Sequence, residues 1–331
     1  MFERQEIMIL NKLSQEKIVM AIAAVLFIAF SVTLKGFFVS ENLFALVRNV
    51  STLGILATAM AIVVLGRGID LSIVSTMAMS TAWAFYLAGH GFSIETALII
   101  GLGFALLFGL INGLIIAYAE IPAIFCTLAI GIFVFGFVRL NLIDFEVVYM
   151  PPAAETITWI ANKYVFGFIP MPVIIFIVVL ALTTLFLKFT RLGQQIYSIG
   201  DNLEASRIVG IPVRPIIVLQ YTLSALLGYI AGIIAAMTVV SVNTRQATGT
   251  FIYDVLLVVV IGGISLSGGR GGIRNVIVGT LLIGVLLNGM TIMDIQYTWQ
   301  NVIKSSILLV ALIIDSLLNP RDEQTAQQGD I

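Results

Sequence analysis

The side chains able to do chemistry are few, and their spacing assembles no reaction centre. His90 is the only histidine and Cys126 the only cysteine in 331 residues. A single cysteine excludes an internal disulfide and a cysteine-based metal cluster. His90, flanked by Gly89 and Gly91 at the end of an apolar run, reads as an interfacial loop residue, with a proton relay as the alternative. No Ser/His/Asp set, carboxylate pair or metal-spaced cluster can be drawn from one histidine and scattered acids. The expectation is a chain without catalysis and without a cofactor or metal of its own.

Chemistry of another kind, binding and movement, is concentrated in three polar segments. In Gly66-Arg67-Gly68-Ile69-Asp70-Leu71-Ser72, Arg67 and Asp70 at a spacing of three would share a helix face. Alternatively Arg67 snorkels to the inner headgroups and Asp70 caps the next helix. Gly68, Asp70 and Ser72 are gate or turn candidates. The glycine-rich stretch from Gly262 to Gly272 is not a phosphate loop, because none of the six lysines follows a glycine and the Gly-Lys-Ser/Thr ending is absent. Gly268, Gly269 and Gly271 there suit a tight turn and close helix approach. The echo between Gly68-Ile69-Asp70-Leu71-Ser72 and Gly263-Ile264-Ser265-Leu266-Ser267 reads as similar turn chemistry arising by chance. The third segment, Gly200 to Pro212, has the grammar of a short capped helix. Asp201 can accept from backbone amides, Glu204 sits at the reciprocal position, and Gly210 with Pro212 supplies the stop. A helix of about two turns is unstable alone, so its own spans, a partner or both must hold it. It is either a docking helix or a plain amphipathic turn.

The elements positioning these segments follow from composition. With 60% hydrophobic and 11% charged residues, against roughly 25% charged in globular chains, the sequence is that of an all-α polytopic membrane protein. A crossing needs about 20 mostly apolar residues, the amides must bond internally, and the apolar runs lack the alternation of barrel strands. The net charge of −1 offers no field for nucleic acid. Runs lie near Val19–Leu34, Val50–Leu65, Ile73–Ala88, Thr96–Ala117, Pro122–Val138, Met171–Leu187, Ile216–Val240, Tyr253–Leu266, Val276–Leu287 and Val302–Leu318. The count is about ten transmembrane helices, the first a retained span and not a signal peptide. Several runs are short, so tilted, broken or re-entrant helices are expected, with eight or nine crossings as the alternative.

Cytoplasmic loops hold the excess of lysine and arginine. With both termini cytoplasmic, that side carries Arg4, Lys12, Lys17, Arg67, Lys188, Arg191, Arg207, Arg214, Arg270, Arg274 and Arg321. The outer side carries Lys35, Arg48, Arg139, Lys163, Arg245 and Lys304. Trp299 and the Trp83/Tyr86 pair then fall near the outer interface. The longest outer loop, Arg139 to Pro170, has a helix expected over Ala153 to Lys163, pressed to the membrane by Ile157, Trp159 and Ile160. It is a solvated connector or a docking surface for an external partner. In the fifth run Phe125, Phe133, Phe135 and Phe137 are candidates to line a sugar path, since flat apolar faces suit carbohydrate rings. Packing or lipid contact is the alternative.

Taken together, the polar segments resemble those of the permease subunits of ABC importers for pentoses and related sugars, the ribose, xylose and galactofuranose group. The family pattern Gly-Gly-Ile-Asp-Leu-Ser-Val-Gly is similar to Gly66 to Val74, and its next signature to Ile121-Pro122-Ala123 with Thr127-Leu128. The family's coupling segment is similar to Gly200 to Val213, and its Gly-Gly-Thr-Ser-Leu-Ser-Gly-Gly-Arg-Gly stretch to Gly262 through Gly271. The similarity runs from about Phe38 to Leu318. Arg67 stands where the family usually has glycine, Ile73-Val74-Ser75 replaces Val-Gly-Ser, and Phe125 follows Ile124 where the order is commonly reversed, which leaves ligand identity open.

The resemblance implies one permease domain over 1–331 with a type II ABC importer-like fold of ten spans, as in vitamin B12 permeases. Spans two to five, about 49–138, and seven to ten, about 216–318, would be inverted repeats, with a cytoplasmic coupling segment at 188–214. It implies a bacterial inner-membrane location and a second permease subunit, the same or a related chain. An extracytoplasmic sugar-binding protein would deliver solute, and a cytoplasmic ATPase would bind ATP and Mg. Asp201, Glu204, Ala205, Arg207 and Gly210 would meet that ATPase, whose closure rocks the spans to alternate access. The alternatives are an ABC permease for a nucleoside or furanosyl signal molecule, an ion-driven secondary transporter and, more remotely, a membrane-embedded enzyme.

Overall fold

Each apolar run forms a helix, because a chain that leaves water must satisfy its amides internally. The computed structural model describes residues 15–318; Arg4, Lys12 and Arg321 of the charge count lie outside the described residues. The first spans are α1 (Gln15–Thr33), α2 (Ser40–Leu65), α3 (Ile73–Gly89), α4 (Ile94–Tyr118) and α5 (Ala123–Asn141). A one-turn α6 (Trp159–Asn162) precedes α7 (Met171–Phe189), and α8 (Arg191–Asp201) with α9 (Leu203–Ile208) forms an elbow before α10 (Val213–Val239). The last are α11 (Phe251–Gly262), α12 (Ile273–Ile292) and α13 (Tyr297–Leu318). Among the described residues, eight helices are long and apolar enough to cross a membrane. The third and eighth runs are the short apolar helices α3 and α11, of 17 and 12 residues.

The core is built on α2, in which every residue from Leu53 to Leu65 is buried; a helix apolar all round belongs inside. α10 lies against α2, α3 and α4. On α4, Gly109 and Gly113 let the backbones touch, since a Cβ would meet Ala225 Cβ at 2.6 Å or Val218 Cα at 2.6 Å. α1 and α13 line the periphery and expose apolar faces such as Val25, Val32, Leu309 and Ile313.

Two small antiparallel ladders accompany the helices: β1 (Val147–Tyr149) with β4 (Ser241–Asn243), and β2 (Tyr164–Val165) with β3 (Ile169–Pro170). The helix expected over Ala153 to Lys163 is instead a 3-10 turn, Pro152–Ile157, followed by α6. Its Ile157 and Ile160 pack on the cores, while Trp159 is exposed. After β4, the 3-10 turn Thr244–Thr248 enters the bundle, where Ser75 Oγ of α3 donates to Ala247 O at 2.7 Å. That detour makes α11 short, because its start lies inside the helix cluster. Gln15 Nε2 at the start of α1 donates to Ile261 O at 3.4 Å, and Asp315 Oδ2 near the end of α13 accepts from Leu266 N at 3.2 Å. The first and last spans thus present these ends to the same loop region as the elbow, as an even number of crossings requires.

Candidate functional site

The elbow is an amphipathic helix followed by a shorter one. Thr190 Oγ1 caps α8 by accepting from Gly193 N at 3.1 Å, and Gly193, Ile196, Ile199 and Gly200 face inward at helical spacing. α9 is capped by Asn202, whose Oδ1 accepts from Ala205 N at 2.9 Å. This corrects the expected cap: Asp201 is the last residue of α8, and Glu204 pairs with Arg207 at 3.0 Å. Gly210 closes α9 at a φ of 82°. Its N–H bonds Arg207 O, and that of Ile211 bonds Ser206 O, the left-handed exit that glycine takes without a Cβ penalty. Glu204, Ala205 and Arg207 are exposed beside Ile208 and Val209, which are 84% and 73% exposed. The charge pair and the two aliphatic side chains form one exposed patch.

Behind this patch the end of α8 meets both glycine segments at one point. Gly200 packs so tightly against Leu65 O and Gly269 N that a Cβ would overlap both. Gly269 N donates to Leu65 O at 2.9 Å. Gly268, at a φ of 87°, is enclosed by Gly200 O and Arg67 Cβ, which a Cβ would approach to 2.8 and 3.1 Å. Tyr197 Oη donates to Gly271 O at 3.1 Å, and burial pushes its phenol above the ordinary value, so the proton stays on. α8, the end of α2 and the loop between α11 and α12 thus meet at one backbone junction.

The Gly66 to Ser72 segment continues from this junction into a buried polar hub. It is not helical, so the helix face expected to carry Arg67 and Asp70 together does not exist. Arg67 sits at a φ of 71°, a conformation costing a non-glycine residue roughly 1 kcal/mol. Asp70, 2% exposed, accepts from Ser72 Oγ at 2.6 Å, Ser72 N at 3.0 Å and Ser224 Oγ of α10 at 2.7 Å. Asn112 Nδ2 of α4 donates to Ser72 Oγ at 2.8 Å, and Leu71 N donates to Thr127 Oγ1 of α5 at 3.1 Å. One carboxylate and one turn thereby tie three spans to the broken α2–α3 connection. Gly68 is crowded by the Tyr221 hydroxyl.

The other candidates lie elsewhere. Phe125, Phe133 and Phe137 are exposed on α5, where the Phe133 and Phe137 rings stack at 5.8 Å. They do not line the cavity of about 480 Å³ that opens among α2, α3, α10 and α12. Phe135 packs on a buried cluster. Lys304, expected at the outer surface, is 5% exposed and pairs with Asp254 of α11 at 2.7 Å. A charge inside an apolar run is stable only when matched, and the match comes from another run. His90 ends α3 with Nδ1 2.7 Å from Tyr86 O. Among the described residues no group of three or more His, Cys, Asp or Glu side chains could hold a metal ion.

Comparison with known proteins gives this geometry its context. Residues 42–312 match the family described as branched-chain amino acid transport system / permease component. The chain belongs to this family. A ribose import permease protein of Escherichia coli K12 is 31% identical over 304 residues, covering 89% of this chain and 92% of the relative. A galactofuranose transporter permease protein of the same strain is 32% identical over 271 residues, covering 82% and 78%. A xylose transport system permease protein of Haemophilus influenzae is 29% identical over 371 aligned positions, covering 93% and 98%. No solved structure matches the chain. The protein is thus an ABC-importer permease subunit, a non-catalytic membrane component.

Several residues that build the permease's site carried no signal of their own. Asn112 and Ser224 are single polar residues inside apolar runs, and that placement is the available sign, since a buried polar side chain must find a partner. Asn202 is hard to tell from Asp201 in the sequence, because the two are adjacent and both are good caps. Ile208 and Val209 lie in the segment but are not among its candidates, and their exposure at the end of α9 adds them to the patch.

Proposed function

We propose that the permease serves a bacterial ABC importer for a monosaccharide, with the elbow, about 188–214, as the surface on which a separate cytoplasmic ATPase acts. The observation that carries this reading is the seat of Gly200 between Leu65 O and Gly269 N. It makes the elbow a rigid lever on two inter-span loops. Asp201, Glu204, Ala205, Arg207 and Gly210 lie along that lever, and Gly68, Asp70, Ser72, Gly268, Gly269 and Gly271 lie at the turns it would move. A monosaccharide is favoured by the ribose, galactofuranose and xylose permeases among the relatives; a nucleoside or furanosyl signal molecule shares the same sugar chemistry. Arg67, Lys188, Arg191, Arg207, Arg214, Arg270 and Arg274 in and beside the elbow and its loops support a cytoplasmic placement of that end, in the inner membrane. The remaining partners would be an extracytoplasmic sugar-binding protein and a second permease subunit. ATP and Mg would belong to the ATPase, and rigid-body rocking would alternate access.

The buried Lys304–Asp254 pair favours an ion-driven carrier instead. Proteoliposomes separate the two. ABC action requires uptake only with ATPase, binding protein and ATP all present. Sugar accumulation by the permease alone under a proton or sodium gradient would decide for the carrier.

A further inference from the structure

The exposed side of α7 carries an apolar stripe at helical spacing, Val178, Leu182, Leu185 and Phe189. The stripe outlasts the helix. Thr190 ends α7 in extended backbone and caps α8, yet Leu192 beyond the break is still exposed, as Phe189 is by 69%. Lys188 and Arg191, both exposed, stand on either side of Phe189 and Thr190. Lys188 Nζ lies 5.5 Å from the centre of the Phe189 ring. Cations interleaved with exposed apolar side chains at the end of a span suit the headgroup layer of a bilayer, where the apolar part enters the acyl boundary and long basic side chains reach the phosphates.

The corner between α7 and α8 also holds positive charge that the protein does not match. No aspartate or glutamate occurs between Glu155 and Asp201. Among the described residues neither Lys188 nor Arg191 forms an ion pair. Farther along the same connection Arg207 and Arg214 are paired, with Glu204 and Glu120, each at 3.0 Å. A soluble anion would meet the two charges and leave Phe189 and Leu192 in water, whereas an apolar protein surface would cover the rings and leave the charges unmatched. An anionic phospholipid satisfies both, with its headgroup on the cations and its acyl chains on the stripe.

From this we infer that the α7–α8 corner is a docking surface for anionic phospholipid, which binds Lys188 and Arg191 through its headgroup and so fixes the start of the elbow at the bilayer surface. The binding depends neither on which solute is carried nor on what drives it, so its failure leaves the importer reading intact. Each basic side chain at an anionic surface contributes about fivefold in affinity, and two contribute about thirtyfold. The complete transporter, stripped of lipid in detergent, is titrated with phosphatidylglycerol or phosphatidylcholine, and amide exchange is read over Arg191–Ile196. Phosphatidylglycerol should slow exchange there at lower concentration than phosphatidylcholine. The variant Lys188→Gln with Arg191→Gln should need about thirtyfold more phosphatidylglycerol, and Lys188→Arg with Arg191→Lys should respond as the wild type does. Added salt should weaken the wild-type response. Equal responses of the wild type and the glutamine variant, or an equal loss in the charge-retaining variant, would overturn the site. Phe189→benzoylphenylalanine identifies the occupant on illumination. Cross-linking to phospholipid is expected; a covalent product with a second permease chain or with the ATPase would show protein seated on the corner and would overturn the inference.

Discussion

Asp70 shows how a single side chain organises a break in a membrane span. Three donors converge on its carboxyl oxygens from Ser72 and Ser224, and a buried donor stripped of its acceptor costs about 1–3 kcal/mol. Asp70→Ala should therefore lower stability by about 3 kcal/mol or more, read as a fall in melting temperature in detergent; an unchanged temperature would mean that the hub holds nothing together. The buried Lys304–Asp254 pair follows another rule. Lys304→Met alone should cost about 3–5 kcal/mol by stranding the carboxylate, and adding Asp254→Leu should recover most of it. Equal melting of single and double variants would contradict this. Asp70 was recognisable in the sequence because a charge at membrane depth is conspicuous. Its partner Ser224 was not, because the contact spans 154 residues. The burial of Lys304, counted with the outer side, is illegible for the same reason: its counter-charge lies 50 residues away in another apolar run.

At the scale of elements, the elbow touches the backbone of two inter-span loops because Gly200 has no Cβ, and the proposed lever depends on that contact. Gly200→Ala should wedge α8 from Leu65 O and Gly269 N, leaving membrane insertion intact and lowering uptake per ATP hydrolysed; an unaltered ratio would show that the contact transmits nothing. Asn202→Ala should loosen α9 by about 1 kcal/mol, the typical cost of a lost N-cap, visible as faster amide exchange in Leu203–Ile208. The segment's helical character and its stop at Gly210 were readable from caps and breakers. That two helices fold there was not, because the inward face of α8 uses Gly193 and Gly200, which periodicity does not count as apolar. The short α3 and α11 were visible as short runs, but the turn at 244–248 that shortens α11 reads like any outer loop.

For the whole molecule, ten apolar runs became eight long and two short helices, since run length reports directly how much backbone must be hidden from water. Orientation carries its own test. Arg207→Cys should react with an impermeant thiol reagent only from the cytoplasmic side, and Gln246→Cys only from outside; the reverse pattern would invert the topology. The central claim is that an external motor works this permease through its elbow, and Glu204→Arg tests it most directly, with sugar uptake and ATP hydrolysis measured on the same reconstituted complexes. The expected result is normal insertion, with uptake at least about tenfold lower and hydrolysis no longer stimulated by the loaded binding protein. Wild-type uptake with normally stimulated hydrolysis would contradict the account.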